Sequence, residues 1–515
     1  MKTLLMHRDR DFDLQCRLPS HEQDLVQDLE LDTLFQAMAA GDPFLLEVAR
    51  KAVLSALDND AETILYRQDV LRDCLKHPAV IRDLYGLAVE TLESEKKNYW
   101  SIFSRYPSSI LYRSIEVMQM LVGMLRRLKA IEEAQGGAFE SEGFRAFFAM
   151  IRGELGEDYF ARVGYHLGEL KFRDGVLISA GLDRGGKGTN YTLRTPRYKK
   201  EGWLQRIFSG RPRQYTVTVH ERDESGARAL SELRDRGING VANALAQSVD
   251  HIVGFFNLLR TELAFYVGCL NLQEQLARLG EPLSFPVPAA PGERRHSCTG
   301  LYDACLALTL KQTVVANDVD ADGKTLVIVT GANQGGKTVF LRSIGLAQLM
   351  MQCGMFVPAR SFRSGVCDGL FTHFRREEDP GMKSGKLDEE LARMSAIADR
   401  ITSNSMVLFN ESFAATNERE GSEIAGQITR ALVEKGIRVF YVTHLYAFAR
   451  GLYDGRADST LFLRAERQDD GGRTFRIIEG EPLQTSYGED LYDGIFGKRP
   501  AGDGHGTFPA SPDDR

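Results

Sequence analysis

The hydrophobic positions of the N-terminal half recur at the spacing of amphipathic helices. Leu34, Phe35 and Met38 follow one another at intervals of one to three residues, and this helical period continues to about Gly136. A further helix is predicted around residues 141–152. The first thirty residues are polar and mixed, and we interpret them as an extended arm or a loosely docked start. The pattern predicts a mostly α-helical region that occupies the beginning of the chain.

Short strand-like runs then replace the helical period. Val176–Ala180, Tyr191–Leu193 and Tyr215–Val219 are rich in β-branched and aromatic residues, and glycine- or proline-containing turns separate them. Helical periodicity returns from Gly226 to Leu279. A small β segment is therefore expected between two helical regions.

Strands and helices alternate after about residue 301, which is the pattern of an α/β domain. Prolines concentrated between 282 and 291 indicate a linker before this domain. No uncharged apolar run is long enough to predict a membrane-spanning helix, so no membrane partner is expected.

Composition narrows the classes of protein that remain. A chain of 515 residues is long enough for two to four domains. Its seven cysteines are scattered without a C-x-x-C pair, which excludes a disulfide scaffold and a cysteine-based zinc finger and fits a reducing cytoplasm. Because the net charge is −7, any contact with nucleic acid requires a local basic patch.

A glycine-rich segment links a predicted strand to a predicted helix. Its sequence is Gly331-Ala-Asn-Gln-Gly-Gly-Lys-Thr338, the G-x-x-x-x-G-K-T pattern of a phosphate-binding loop in the context that the pattern requires. Lys337 would reach the β- and γ-phosphates of a nucleotide, and the Thr338 hydroxyl would ligate Mg²⁺. A chance glycine-rich turn is the alternative. The residues predicted to hold the phosphates of ATP are Gly331, Asn333, Gly335, Gly336, Lys337 and Thr338.

A second predicted strand, Ser405–Phe409, ends in Asn410 and Glu411. In a sheet that carries a phosphate-binding loop, a metal-holding carboxylate and a general base are expected at this place. We predict that Glu411 is the base, against the alternative of a solvated strand end. Asn410 stands where an Asp would hold the Mg²⁺ shell, and because Asn is uncharged we expect weaker Mg²⁺ binding or slow turnover.

A histidine follows the third predicted strand of this region. Thr443 and His444 come directly after Ile437–Val442. A histidine at a strand end can sense the γ-phosphate through its ring N–H, although a structural hydrogen bond is the more usual role. We predict the sensing role for His444 and count it, like Glu411, among the catalytic residues.

Together these segments resemble the ATPase domain of the MutS family of DNA mismatch-repair proteins, within the ABC-type ATPases. The resemblance runs from about residue 316 to 497, and more faintly back to about residue 30. Its matching segments are Ala316–Asp318, Thr330–Thr338, Gly354–Ala359, Glu411–Gly421, Thr443-His444 and Ser486–Gly488. The resemblance implies a multidomain protein whose mostly α-helical core and lever region, with its small β segment, precedes an α/β P-loop ATPase domain of the ABC type.

This resemblance implies a division of the chain into domains. We expect, in order, an N-terminal arm (1–30), a helical core domain (31–158), a β-rich basic clamp-like segment (159–225), lever helices with a linker (226–290), a MutS-like ATPase domain (291–497) and a disordered tail (498–515). ATP and Mg²⁺ are the implied cofactors.

The resemblance also implies a homodimer joined through its ATPase heads, with two composite ATP sites. In such ATPases a signature loop of one subunit covers the γ-phosphate bound to the other. Ser384 is the candidate for this contact, and a capped acidic helix is the alternative. Thr416 and Asn417 fall in the segment that corresponds to the D-loop.

Family members that detect mismatches carry an N-terminal domain with an F-x-E wedge, whose Phe stacks on the mispaired base. Only about 300 residues precede the ATPase region here, and we find no such motif in a suitable mixed α/β context. The sequence is therefore expected to represent a shortened branch of the family without classical mismatch recognition.

The segment from Asp183 to Arg213 is strongly basic. It carries nine basic residues against Asp183 and Glu201, a net charge of +7, with aromatic residues interleaved. Such a segment can neutralise phosphates and stack on exposed bases, although a solvated basic hairpin is the plainer alternative. The candidate DNA contacts are Arg194, Arg197, Lys199, Lys200, Arg206, Arg211 and Arg213.

We therefore predict a cytoplasmic, ATP-dependent DNA-binding protein of MutS type, in which ATP binding and hydrolysis switch a dimeric clamp on duplex or branched DNA. A ribosome- or RNA-associated ATPase is one alternative. A nucleotide-gated protein scaffold with weak hydrolysis is another, and Asn410 motivates it. A small-molecule kinase is less favoured, because Glu411, Thr416 and His444 suit attack by water.

Overall fold

The computed structural model describes residues 1–99, 106–173, 175–194, 216–220, 222–332, 334–376, 385–455, 457–468 and 473–483. The chain divides into two compact units. Unit 1 consists of Met1–Leu14 and Asp69–Leu270, and unit 2 consists of Gln15–Gln68 and Asn271–Arg515.

Helices account for most of unit 1 and cover the sheets of unit 2. In chain order they are α1 (Glu22–Asp28), α2 (Leu31–Ala39), α3 (Pro43–Leu54), α4 (Ala61–Lys76), α5 (Pro78–Tyr99), α6 (Pro107–Gln135), α7 (Glu142–Glu154), α8 (Glu157–Glu169), α9 (Glu224–Arg278), α10 (Ala304–Leu310), α11 (Lys337–Gln352), α12 (Lys386–Ala398), α13 (Glu418–Glu434) and α14 (Tyr446–Asp454). The helical period predicted up to about Gly136 and the helix predicted at 141–152 are thus confirmed, the latter as α7.

Among the described residues the strands form three sheets. In chain order they are β1 (Leu177–Leu182), β2 (Gly188–Arg194), β3 (Val287–Ala289), β4 (His296–Leu301), β5 (Asn317–Asp320), β6 (Leu326–Thr330), β7 (Ser361–Gly365), β8 (Gly369–Phe374), β9 (Ser405–Asn410), β10 (Arg438–Val442), β11 (Thr460–Arg467) and β12 (Arg473–Glu479). β1 and β2 form an antiparallel hairpin in unit 1. Unit 2 holds a six-stranded sheet in the order β12-β11-β6-β10-β9-β8 and a four-stranded sheet in the order β3-β7-β4-β5.

The six-stranded sheet is parallel from β11 to β8, and only the edge strand β12 is antiparallel. Its central strands are almost wholly buried, as expected when helices cover both faces of a parallel sheet. Side chains such as Ile328, Phe409 and Tyr441 pack with Ala425 of α13 and Phe448 of α14. The opposite face meets α11, which is buried on all sides from Phe340 onward.

The first fourteen residues are firmly attached to unit 1, so the interpretation of a loosely docked start is wrong for this segment. Leu5 and Met6 are fully buried. The carboxylate of Glu262 in α9 accepts hydrogen bonds from the backbone N–H groups of Leu5 and Phe12, at 2.6 and 2.8 Å. Tyr266 donates its hydroxyl hydrogen to the carbonyl oxygen of Leu5 at 2.6 Å. Sequence patterning missed this attachment because it depends on partners some 250 residues away.

Two further sequence interpretations are wrong. Val287–Ala289 was predicted to lie in a linker, but it forms β3 and pairs in parallel with β7. Of the predicted strand Tyr215–Val219, the structure describes residues 216–219, and they form no strand. In both places local composition was a poor guide, because pairing with a distant strand decides whether an extended segment joins a sheet.

Helix α9 contains a stretch that is long and apolar enough to cross a membrane by length and composition alone. However, 72% of that stretch is buried inside the protein. Such burial is typical of a core helix.

The buried carboxylate of Glu262 gives a prediction about pH. Burial raises its pKa from the ordinary 4.5 to about 7, against the opposing effect of the hydrogen bonds from Leu5 and Phe12. Between these two pKa values the folded protein holds a proton that the unfolded chain has released. We therefore expect the free energy of unfolding to fall by on the order of 1–3 kcal/mol as pH rises from about 5 to 7. Denaturant unfolding at several pH values measures this slope, and an unchanged slope in Glu262→Gln would contradict the assignment.

Candidate functional site

The site begins where three parallel strands end side by side. Val442 at the end of β10 lies in register with Val329 of β6 and with Asn410 of β9. Because the carboxyl ends of parallel strands open at the same edge of a sheet, the segments that follow them converge there. This edge therefore brings together the glycine-rich segment after β6, Glu411 after β9 and His444 after β10.

The glycines of the first segment are needed for backbone shape and space. Gly331 and Gly336 have φ values of +113° and +87°, which L side chains rarely adopt. A Cβ atom on Gly331 would lie 2.9 Å from the backbone nitrogen of Ala465, and one on Gly335 would lie 2.7 Å from the Cβ atom of that residue. A Cβ atom on Gly336 would come within 3.1 Å of the Phe475 carbonyl oxygen. The segment thus holds its backbone tightly against β11 and β12.

Lys337, the first residue of α11, lies inside the loop that precedes it. Its Nζ atom donates hydrogen bonds to the carbonyl oxygens of Gly331 and Ala332, at 2.9 and 2.8 Å. The side chain is almost completely buried. Burial lowers the pKa of Lys337 to about 8, and the negative charge of Glu411 opposes this effect. An incoming phosphate would find a cation already oriented within the loop.

The two residues predicted to bind Mg²⁺ are in contact. The Thr338 hydroxyl donates a hydrogen bond to Oδ1 of Asn410 at 3.1 Å. Both side chains offer an oxygen atom, the type of ligand that Mg²⁺ prefers, but neither oxygen is charged. These two residues therefore fit a Mg²⁺ ion whose other ligands are phosphate oxygens and water.

Glu411 and His444 form a pair. Oε1 of Glu411 lies 2.7 Å from Nε2 of His444. This hydrogen bond holds the pKa of Glu411 below its ordinary value, and the charges of Lys337 and Arg375 act in the same direction. Because its pKa is lowered, the carboxylate is ionised. It is about a quarter exposed, so water can reach it. Such a group can accept a proton from a water molecule.

The backbone around Glu411 adopts an uncommon conformation. Glu411 and Phe413 have φ values of +55° and +61°, which is costly for residues other than glycine. Two features hold this turn in place: the N–H of Glu411 donates to the Val442 carbonyl oxygen at 2.9 Å, and the Phe413 ring is buried against His373. The strained turn fixes the direction in which the Glu411 carboxylate points.

Helix α13 supports the same turn through a close contact that only glycine allows. A Cβ atom on Gly421 would lie 2.4 Å from the carbonyl oxygen of Phe413. We therefore expect Gly421→Ala to displace the turn, to lower the midpoint of thermal unfolding and to cost about 1–3 kcal/mol.

Gly426→Ala, in the same helix, is the matched control. Its added Cβ atom would meet only Cδ2 of Phe448, at 3.9 Å. Since alanine favours helix over glycine, this variant should be as stable as the wild type or more so. Equal destabilisation by the two substitutions would contradict the role given to Gly421.

Thr416 and Asn417 lie at the beginning of α13. Asn417 caps this helix by accepting a hydrogen bond from the N–H of Glu420 at 3.0 Å. The Thr416 hydroxyl donates to the carboxylate of Glu420. Both side chains are thus occupied within their own turn, and their predicted part in a dimer contact stays a prediction.

A pocket of about 440 Å³ lies beside the glycine-rich segment. Gln334, Gly335, Gly336, Lys337, Thr338 and Glu411 line one side, and Leu306, Leu310, Val314, Val315 and Phe475 are among the residues of the apolar side. Its size is typical of small-molecule sites, which span roughly 300–1,000 Å³. The apolar residues were missed in the sequence, because α10 and β12 carry no motif and meet at this loop only in the fold. The resemblance of Ala316–Asp318 was the nearest signal.

Some predicted residues lie outside the described part of the chain. These are Asn333, Ser384, Ser486–Gly488, the tail after 498 and, among the candidate DNA contacts, Arg197, Lys199, Lys200, Arg206, Arg211 and Arg213. Of the described neighbours, Gly385 is the N-cap of α12, with Asp388 and Glu389 in its first turn. Arg194 is exposed at the end of β2, and its Nε donates to Ser179 Oγ at 2.9 Å.

Comparisons with known proteins show which sequences this chain resembles. A family model described as the MutS2 N-terminal domain matches residues 59–279, and one described as MutS domain V matches residues 327–492. The chain is 35% identical over 134 residues to the DNA mismatch repair protein MutS of Thermotoga maritima, which covers 26% of this chain and 17% of that protein.

Two further relatives are named Endonuclease MutS2. The chain is 28% identical over 284 residues to Endonuclease MutS2 of Enterococcus faecalis, which covers 50% of this chain and 34% of that protein. It is 32% identical over 189 residues to Endonuclease MutS2 of Thermus thermophilus, which covers 36% of this chain and 24% of that protein. In these alignments the chain spans only about a third or less of each relative's length.

Proposed function

This chain belongs to the MutS family, and on that premise we propose that it hydrolyses ATP and that nucleotide binding and hydrolysis switch its grip, as a dimer, on DNA. One observation carries the proposal. Lys337, Thr338, Asn410, Glu411 and His444 converge at one edge of a parallel sheet, beside a pocket of about 440 Å³. We further propose that residues 291–497 form an ATPase domain of the P-loop, ABC type.

The loop residues suit the binding of a triphosphate. The positive-φ glycines let the backbone turn close to the phosphates, and α11 begins at this loop, so its amino end adds partial positive charge. Lys337 would exchange its two carbonyl partners for the β- and γ-phosphates. The apolar wall that includes Leu310 and Phe475 would cover the base.

The hydrolytic step would rest on Glu411. Its ionised carboxylate would take a proton from the water that attacks the γ-phosphate, and His444 would hold that carboxylate in position through their hydrogen bond. Thr338 and Asn410 would hold Mg²⁺, which supplies positive charge that neutralises the phosphates. Because Asn410 is uncharged, we expect a higher Mg²⁺ requirement than an Asp would give.

DNA binding is proposed for the basic segment at 183–213. Its net charge of +7 contrasts with the net −7 of the whole chain, and the names of the relatives refer to DNA mismatch repair and to an endonuclease. These names favour DNA over the ribosome as a partner. A protein scaffold with weak hydrolysis remains the alternative that Asn410 motivates.

Salt dependence of DNA binding tests this part of the proposal. The triple variant Arg197→Ala, Lys199→Ala, Lys200→Ala should bind duplex or branched DNA more weakly. It should also reduce the slope of log affinity against log salt by up to about 0.9 for each phosphate contact that is lost.

The control variant is Arg145→Ala, Arg162→Ala, Arg173→Ala, which removes the same charge from exposed sites elsewhere in unit 1. Its slope should match that of the wild type. Equal slopes for all three proteins would argue against DNA contact by the basic segment.

A further inference from the structure

A second pocket lies at the opposite edge of the six-stranded sheet, where the parallel strands begin. It measures about 280 Å³. Thr325 before β6, Ser405 at the start of β9 and Arg438 at the start of β10 line it, together with the loop after β3 and the connection between β7 and β8. The pocket beside the glycine-rich segment lies at the other ends of the same strands. The length of these strands therefore separates the two pockets.

Three cations face this second pocket: Arg294, Lys435 and Arg438. Arg438 is partly buried, and its Nη1 donates a hydrogen bond to the Arg295 carbonyl oxygen at 2.9 Å, which fixes the guanidinium group. Gly436 has a φ of +79°, and a Cβ atom there would lie 3.9 Å from Nη2 of Arg294. The backbone turn at Gly436, between Lys435 and Arg438, thus lies close to Arg294.

No carboxylate among the described residues lies within 4.0 Å of these three cations. Glu293, the one acidic residue that lines the pocket, lies 3.9 Å from the guanidinium group of Arg363. The nearby carboxylate of Asp322 is held by Arg295 at 2.9 Å and by the N–H of His296 at 2.8 Å. The lining therefore carries three positive charges against one negative charge.

The positive charges act on one another. Burial lowers the pKa of Arg438, and the charge of Arg294 lowers it further, while Asp322 opposes these effects. A bound anion would relieve this repulsion and would receive charge-assisted hydrogen bonds from guanidinium groups, whose fork geometry suits phosphate oxygens.

We propose that this pocket, lined by Arg294, Lys435 and Arg438, binds a phosphoryl-bearing anion that is distinct from the nucleotide at the glycine-rich loop. Its volume suits one or two phosphoryl groups rather than a whole nucleotide. Two sources share this chemistry: a free di- or polyphosphate, and the backbone phosphates of a nucleic acid.

Isothermal titration calorimetry with inorganic pyrophosphate tests the proposal. All proteins in the comparison carry Lys337→Met, so that the glycine-rich loop contributes little to the signal. Adding Arg294→Ala and Lys435→Ala should weaken pyrophosphate binding by about tenfold or more, because each removes a charged donor. Both side chains are exposed, so their removal leaves the core intact.

Arg145→Ala with Arg162→Ala is the matched control. It removes two exposed arginines of unit 1 that do not line the pocket, and its affinity for pyrophosphate should stay close to that of the parent. No binding to the parent, or equal binding by all three proteins, would overturn the proposal. A parallel titration with a short DNA duplex separates the sources: competition with pyrophosphate identifies backbone phosphates, and its absence identifies a free anion.

Discussion

Glu411→Gln is expected to lower the rate of ATP hydrolysis by about 100- to 10,000-fold, the contribution typical of a general base. The substitution preserves the size of the side chain and its ability to pair with His444, which lies 2.7 Å from Oε1. It removes only the negative charge that takes a proton from water. ATP affinity should change by no more than a few-fold, because the phosphates are held by other residues. Steady-state turnover and equilibrium binding of ATP measure the two effects separately.

The control for this experiment is Glu423→Gln. Glu423 is an exposed carboxylate on α13, and among the described residues its one hydrogen-bond partner is the Gln427 amide of the same helix, at 3.4 Å. Its loss should leave turnover unchanged. If Glu411→Gln hydrolyses ATP at the wild-type rate, another group must activate the water, and the assignment of Glu411 is wrong.

Lys337→Met is expected to weaken ATP binding by about 10- to 100-fold, the loss of one or two charge-assisted hydrogen bonds. Methionine fills much of the same buried space, so the fold of the loop should survive. In the wild type, ATP affinity should also fall as pH rises through about 8, because burial lowers the pKa of Lys337 to that value and the phosphates bind the protonated amine. Fluorescence titration with an ATP analogue at pH 7 and pH 9 measures both effects.

Lys324→Met serves as the control. Lys324 precedes β6, the strand whose other end leads into the glycine-rich segment. It is a partly exposed residue whose Nζ donates to the Asp458 carbonyl oxygen at 2.6 Å. This variant should bind ATP like the wild type and keep the dependence on pH. A pH dependence that persists in Lys337→Met would assign the titration to another group.

The chemical residues of the site could be predicted from the sequence because each lies at the end of a buried strand or in the segment that follows it. Parallel strands place their ends at one edge, so Thr338, Asn410, Glu411 and His444 had to meet once the three strands paired. The contact between Thr338 and Asn410 confirms that the two residues proposed for Mg²⁺ are neighbours. The positions of these residues at the ends of predicted strands were therefore sufficient to predict that they meet at this edge of the sheet.

What the sequence could not predict depends on contacts between distant segments. The apolar lining of the pocket beside the glycine-rich segment includes Leu310 and Phe475, which are 165 positions apart and match no motif. The attachment of the N-terminus to Glu262 and the pairing of β3 have the same character. The positive φ of Glu411 also escaped prediction, since local propensity disfavours it and it is maintained by the hydrogen bond to Val442 and by the packing of Phe413.

The proposed coupling of ATP hydrolysis to DNA is tested most directly by steady-state ATP hydrolysis. Turnover is measured for this chain and for Glu411→Gln, with and without a panel of duplex, mismatched and branched DNA. We expect measurable turnover that at least one DNA structure changes and that the substitution abolishes. Turnover that responds to no DNA, or ATP binding without hydrolysis in either protein, would contradict the proposed coupling and favour a nucleotide-gated scaffold.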